Sequence, residues 1–266
     1  MTLFGPESSS AEMPAHTVRV RATVAYDGTD YSGFAVQPGS QRTVGGALTD
    51  AIARVLGHPI VLTCAGRTDS GVHAWGQVIS FDAREADLDL ESLQRSVNKQ
   101  LRPQISIRSI DRASSDFDAR FSATSRLYRY TVLNSAAPSP FLARTAWWID
   151  SPLNLNAMRL ACDPLIGEHD FSSFCRRPND EASLTRRVID ARWDARDDGT
   201  LEFWIEANAF CHQMVRSIVG TLVEVGLGKK RAGDISAIVR GRDRSAAGNL
   251  APPHGLCLWS VGYPLE

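Results

Sequence analysis

Lysine is nearly missing from this chain of 266 residues: of its 29 basic side chains, Lys99, Lys229 and Lys230 are the lysines and the rest are arginine. A large net charge is missing too, since 30 acidic residues leave a formal charge of -1, which excludes a protein that coats nucleic acid by bulk electrostatics. What basic surface there is must be local. Arg176-Arg177, Arg186-Arg187, Lys229-Lys230-Arg231 and Arg240/Arg242/Arg244 are the candidate clusters, and the planar guanidinium suits phosphates and stacked bases better than an ammonium does. The five cysteines (Cys64, Cys162, Cys175, Cys211, Cys257) are odd in number and include no C-x-x-C pair. That speaks against a disulfide framework and against a zinc site, and for a reducing compartment. No apolar run approaches the roughly 18 residues of a membrane span. The opening residues MTLFGPESSSAEMPAHT lack the basic start and apolar stretch of a signal peptide, so residues 1–17 are expected to be a disordered tail on a cytoplasmic protein with no membrane contact.

Against these absences stands an ordinary hydrophobic fraction of 43%, enough to bury a substantial core. Apolar residues at positions 18, 20, 22, 24 and 26 alternate as in a half-buried strand. Val44, Leu48, Ile52, Val55 and Leu56 then repeat at helical spacing up to Gly57. Strands are predicted over Pro59–Cys64 and Gln77–Phe81, a second helix from Leu90 to Leu101 ahead of Pro103, and a strand at Ile105–Ile110. The order β-α-β-β-α-β recurs afterwards: strand Arg126–Leu133, helix Leu155–Leu165, strands Val188–Trp193 and Leu201–Ile205, helix Met214–Val225, strand Leu256–Val261. The expected fold is therefore α+β, with two ferredoxin-like halves, 18–113 and 114–266. If helices cover one face of each antiparallel sheet, the other faces are left to meet around a central cleft.

Three stretches carry residues suited to chemistry. AGRTDSGVHAWGQV (Ala65 to Val78) sets Asp69 and Arg67 in a loop bounded by Gly66 and Gly71. Taken alone, an aspartate beside glycine is also what an ordinary turn looks like. NAFCHQMVRSIVG (Asn208 to Gly220) places Arg216 among Met214, Val215, Ile218 and Val219, where it either pairs with a buried acid or extends to solvent. SRLYRYTVLN (Ser125 to Asn134) puts Arg126, Tyr128 and Tyr130 on one face of a strand, a pattern shared by base-stacking platforms and by core tyrosines.

Together these segments resemble the TruA family of tRNA pseudouridine synthases. The agreement runs in the family's order through YDGTDYSGF (Tyr26 to Phe34), AGRTDSGVHAWGQV, DARFSATSRLYRY (Asp118 to Tyr130), GEHDFSSF (Gly167 to Phe174), NAFCHQMVRSIVG and GLCLWSVGY (Gly255 to Tyr263). Phe34 stands where the family commonly has tryptophan, Thr43-Val44-Gly45-Gly46 lacks its usual glutamine, and Asp118 replaces a common histidine. The resemblance implies isomerisation of uridine to pseudouridine at positions 38, 39 and 40 of the tRNA anticodon arm, by a homodimer that needs neither metal nor other cofactor. It also implies site roles: Asp69 as the catalytic nucleophile, Arg67 as its neighbouring arginine, Arg216 as the partner of the acid, and Tyr128 against the target base.

Two other classes compete. A pure RNA-binding module would show the same sheets and aromatics without catalysis, and a hydrolase would pair His73 or His212 with Asp69.

Overall fold

The computed structural model describes residues 16–37, 39, 41–176 and 183–264. Most of the expected tail lies outside the described residues, as does Arg177 of one arginine cluster, while Thr17 already opens the first strand.

That strand, β1 (Thr17–Tyr26), buries Val20, Ala22, Val24 and Tyr26 and turns the intervening residues outward, the period-two pattern its sequence shows. Helix α1 (Val44–Leu56) starts where the Thr43 hydroxyl accepts the Gly46 N–H, and it stops at Gly57, whose φ of 70° is left-handed. A short strand β2 (Thr63–Cys64) and a long β3 (His73–Arg84) flank the Asp69 loop. The run from Pro59 contributes only its last two residues to the sheet, through Thr63↔Ser80 and Cys64↔Ile79. Helix α2 (Leu90–Leu101) is capped by Asp89, and β4 (Ile105–Arg112) follows.

The second half begins with β5 (Ser125–Asn134) and a three-residue strand β6 (Trp147–Ile149). Helix α3 (Leu155–Leu160) is shorter than its apolar pattern, because the chain tightens into a 3-10 turn around Pro164, which has no N–H to continue the helix. Then come β7 (Gly167–Asp170), β8 (Thr185–Ala195), β9 (Thr200–Ala207), α4 (Met214–Gly226), α5 (Asp234–Gly241) and β10 (Leu256–Gly262). Strands β6 and β7 are too short to show a period, and helix α5, whose Ile235, Ile238 and Val239 share one face at helical spacing, is an element the expectations above omit.

All ten strands form one mixed sheet in the order β4-β1-β3-β10-β5-β9-β8-β7, with β2 added to β3 and β6 to β5. This corrects the expectation of two separate sheets meeting face to face. The last strand returns to lie parallel to β3 at Cys257↔His73 and Leu258↔Ala74, while its other edge pairs with β5. Edge-to-edge joining satisfies backbone groups that two separate sheets would leave open. One continuous hydrophobic core accordingly runs from Val20 in β1 to Leu258 in β10. Val78, next to the core residue Ile79 and so pointing the other way, packs with Ala65, Phe117 and Ala119 in a smaller cluster. No helix among the described residues is long and apolar enough to cross a membrane.

Candidate active site

The Asp69 loop lies above the seam where β3, β10 and β5 meet, and its backbone is fastened on both sides. Buried Gln77 accepts the Gly66 N–H at 3.3 Å and donates to the Gly66 carbonyl at 2.6 Å. The Thr68 hydroxyl meets the buried Tyr26 hydroxyl at 2.8 Å, and the Thr68 carbonyl accepts the Phe34 N–H at 3.1 Å. Behind the loop, the YDGTDYSGF segment approaches so closely that a Cβ on Gly28 would stand 2.0 Å from the Val72 carbonyl oxygen. Gly71 holds a φ of 77° as the chain turns back, with the Val72 N–H bonded to the Asp69 carbonyl. The glycines thus serve backbone packing and turning.

Asp69 is brought to α4. Arg216 Nη1 donates to Asp69 Oδ2 at 3.2 Å, and the side chains are 12% and 27% exposed. The same guanidinium donates through Nε to the Ala251 carbonyl at 2.8 Å. Arg216 can sit there because its neighbours Met214, Val215, Ile218 and Val219 anchor the helix in the core. It does not extend freely to solvent; it is the partner of the acid. The second carboxylate oxygen, Oδ1, lies 3.4 Å from His212 Nε2. His212 is aimed by a left-handed residue just before the helix, Gln213 at φ 65°, and its carbonyl accepts the Arg176 N–H at 3.0 Å. A non-glycine residue in that region costs about 1–3 kcal/mol, a strain that clusters at functional sites.

Tyr128 lies beneath, 7% exposed, with the Phe210 ring edge-on at 5.0 Å. Burial, followed by the nearby Asp69 charge, raises its phenol well above the ordinary value, so it acts as an O–H donor and not as a base. Tyr130 on the same face is fully buried, its hydroxyl donating to the Pro252 carbonyl. The structure therefore separates the three side chains of that face: Tyr130 belongs to the core, and Arg126 is not a stacking surface either. Arg126 donates to the carbonyls of Ala65, Arg120, Ala123 and Asn208. It ties the start of the Asp69 loop to the segment leading into α4. Arg67 is exposed, and no side-chain bond holds it among the described residues.

Two histidines part company. His73 turns inward, its Nδ1 accepting the Gly28 N–H at 3.1 Å and its Nε2 near the Arg144 and His254 carbonyls. His212, for which the sequence alone offers only a hydrolase's role, stands at the acid. Its signal was its spacing of four residues from Arg216 across a helix start, and that spacing is informative only once the helix boundary is known. As a chemical unit, the site is a half-exposed carboxylate held by one guanidinium, approached by one imidazole, and floored by a neutral phenol.

Comparison with known proteins places this arrangement in context. The sequence pattern of tRNA pseudouridine synthase matches residues 22–122 and 161–264. A tRNA pseudouridine synthase A of Pseudothermotoga lettingae is 39% identical over 92% of this chain and 99% of its own length. The proteins of that name from Geobacillus kaustophilus and Brevibacillus brevis are 40% and 41% identical, over 94% and 92% of this chain and 96% and 99% of theirs.

Proposed function

The chain belongs to the tRNA pseudouridine synthase family, and from that premise we propose that it converts uridine to pseudouridine at positions 38, 39 and 40 of the tRNA anticodon arm, with Asp69 as the nucleophile. As an enzyme it is an isomerase. The bond from N1 to the sugar C1′ breaks, the uracil turns, C5 bonds to C1′, and the proton lost from C5 is balanced by one gained at N1. Nothing is oxidised or reduced.

The observation that carries this reading is the Asp69–Arg216 pair at 3.2 Å on a braced loop. A carboxylate can add to C6, attack C1′ or take the C2′ proton, and each route needs the same fixed, accessible oxygen. Arg216 holds Oδ2, which leaves Oδ1 as the reacting atom once the nucleotide displaces His212. Tyr128 supports the uracil, with its neutral hydroxyl as a hydrogen-bond donor at the floor of the site. Exposed Arg67 helps to hold the target nucleotide out of its stack, as chemistry on a base within a helix requires.

The halves 18–113 and 114–266 are read as two β-α-β-β-α-β units, on the strength of their matching strand neighbours: β4, β1, β3, β2 in one and β10, β5, β9, β8 in the other. Shape recognition of A-form RNA through its backbone suits a chain of nearly zero net charge with local arginine clusters. A homodimer is proposed on the family resemblance.

Pseudouridine mapping of an unmodified tRNA transcript incubated with the purified protein tests the function. New pseudouridine at positions 38, 39 and 40 is the expected result. Binding without modification would instead make the chain an RNA-binding module.

A further inference from the structure

The turn from Asp118 to Ser122 presents Phe121 to solvent at 79% exposure, although almost everything around that side chain is fixed. Asp118 Oδ1 accepts the N–H groups of Arg120 and Phe121 at 2.8 and 2.9 Å. The Asp118 N–H donates to Ser122 Oγ at 3.0 Å, and the Ser122 N–H returns to the Asp118 carbonyl at 3.0 Å. On one side Phe117 and Ala119 are buried, and Ala119 is bonded to Ser80 and Tyr263. On the other, the Arg126 guanidinium holds the Arg120 carbonyl at 2.8 Å and, with the same nitrogen, the Ala65 carbonyl at 2.8 Å. The turn and the Asp69 loop are thus one mechanical piece. An exposed ring on a floppy tip would need no explanation; one on a turn braced from both ends does.

The surroundings of the ring indicate what it meets. The Arg120 guanidinium lies over the Phe121 ring at 5.2 Å. Arg120 and Arg67 both lie close enough to Cys64, two residues before Gly66, to pull down a thiol that burial pushes up to about 11. Both arginines are exposed, and neither has an acidic partner among the described residues. An aromatic face between uncompensated guanidiniums matches a nucleobase with its flanking phosphates, because any base offers a π-face and each phosphate a charge. A protein partner would call for apolar neighbours around Phe121, and the residues beside it are basic and polar.

We propose that Phe121 and Arg120 form a stacking subsite for an unpaired RNA base next to the target uridine, with Arg67 on the phosphate between the two nucleotides. This rests on the proposed function for its RNA substrate. Asp118 is a positioning residue here: a carboxylate accepts both N–H groups that shape the turn.

The test uses the full chain and an unmodified tRNA transcript, measuring affinity, single-turnover rate and thermal melting for Phe121→Leu and Phe121→Trp. Leucine is expected to weaken tRNA binding by about fivefold to a hundredfold with unchanged melting, and tryptophan to restore binding to within about threefold of the unchanged protein. Arg67→Ala should reduce the slope of log affinity against log salt by about 0.7, the loss of one single-strand phosphate contact. Unchanged affinity and rate in Phe121→Leu overturn the subsite, and so does a fall in affinity that leucine and tryptophan share with lowered melting. Affinity is read separately from pseudouridine formation. An unchanged protein that binds tRNA without modifying it therefore counts against the proposed function, and a Phe121→Leu variant that binds and modifies tRNA as the unchanged protein does counts against the subsite alone.

Discussion

Two arginines rooted in different elements, Arg126 at the start of β5 and Arg216 in the first turn of α4, are both largely buried and meet their charge in opposite ways. Among the described residues, Arg126 is surrounded by four backbone carbonyls and by no carboxylate. Burial accordingly lowers its tendency to hold a proton, although an arginine remains charged throughout. Arg216 has one carbonyl, from Ala251, and one carboxylate, from Asp69. An arginine bonded to carbonyls fixes the relative position of chain segments; one bonded to a carboxylate also sets the electrostatics of a group that can react. The two regions meet at the Asp69 loop, since Arg126 holds its first residue and Arg216 its acid.

The comparison breaks most completely if the acid is removed. Asp69→Asn retains the shape and a hydrogen-bonding oxygen for Arg216, so it is expected to fold and bind tRNA while turnover falls on the order of a thousandfold or more. Appreciable turnover by the pure variant takes the nucleophile role from Asp69. Next in size is Arg126→Ala, which leaves four carbonyls without their donor and costs about 3 kcal/mol or more of stability. Calorimetry should show Tm lowered by about 6–12 °C, and activity lost in proportion to unfolding. Normal melting would mean that water replaces the guanidinium and that the brace is dispensable.

Arg216→Ala sharpens the contrast, because its larger effect should be on rate and not on melting. Loss of the acid's partner is expected to slow single turnover by about a hundredfold and to cost about 1–3 kcal/mol of stability. If melting falls as far as in Arg126→Ala while the folded fraction keeps its rate, the two arginines are structural alike. The smallest effect is expected at His212. Because the nucleotide displaces His212 from Oδ1, which its ring approaches at 3.4 Å, His212→Phe and His212→Gln should both keep the single-turnover rate within about fivefold of the unchanged protein. A hydrolase using His212 as its base predicts the reverse, complete loss in both variants.

Much of this was legible in the chain itself. The helices at Val44 and Leu90 appear where Thr43 and Asp89 cap them, and each stops at the expected last residue. Local signals suffice there, since a cap and its helix lie within a few residues of each other. The Asp69, Arg216 and Tyr128 segments could be singled out because each combines a reactive or aromatic group with an apolar frame. Arg126 was not legible in this way: alternation puts it on the face of Tyr128, but nothing in the alternation says that carbonyls from Ala65 and Asn208 converge on it.

The sequence by itself determined where most helices and strands run, which faces of them enter the core, and which acid stands on a glycine-bounded loop, because hydrophobic period, caps and turn residues act over a few positions. The tertiary structure decided what those pieces do to one another. It joined the halves through β3 and β10, gave Asp69 a guanidinium from 147 positions away, turned His73 inward and brought His212 to the acid. Such contacts depend on strand register and on the placement of a helix start against a distant loop, and a one-residue shift in either would send the same side chains to other partners.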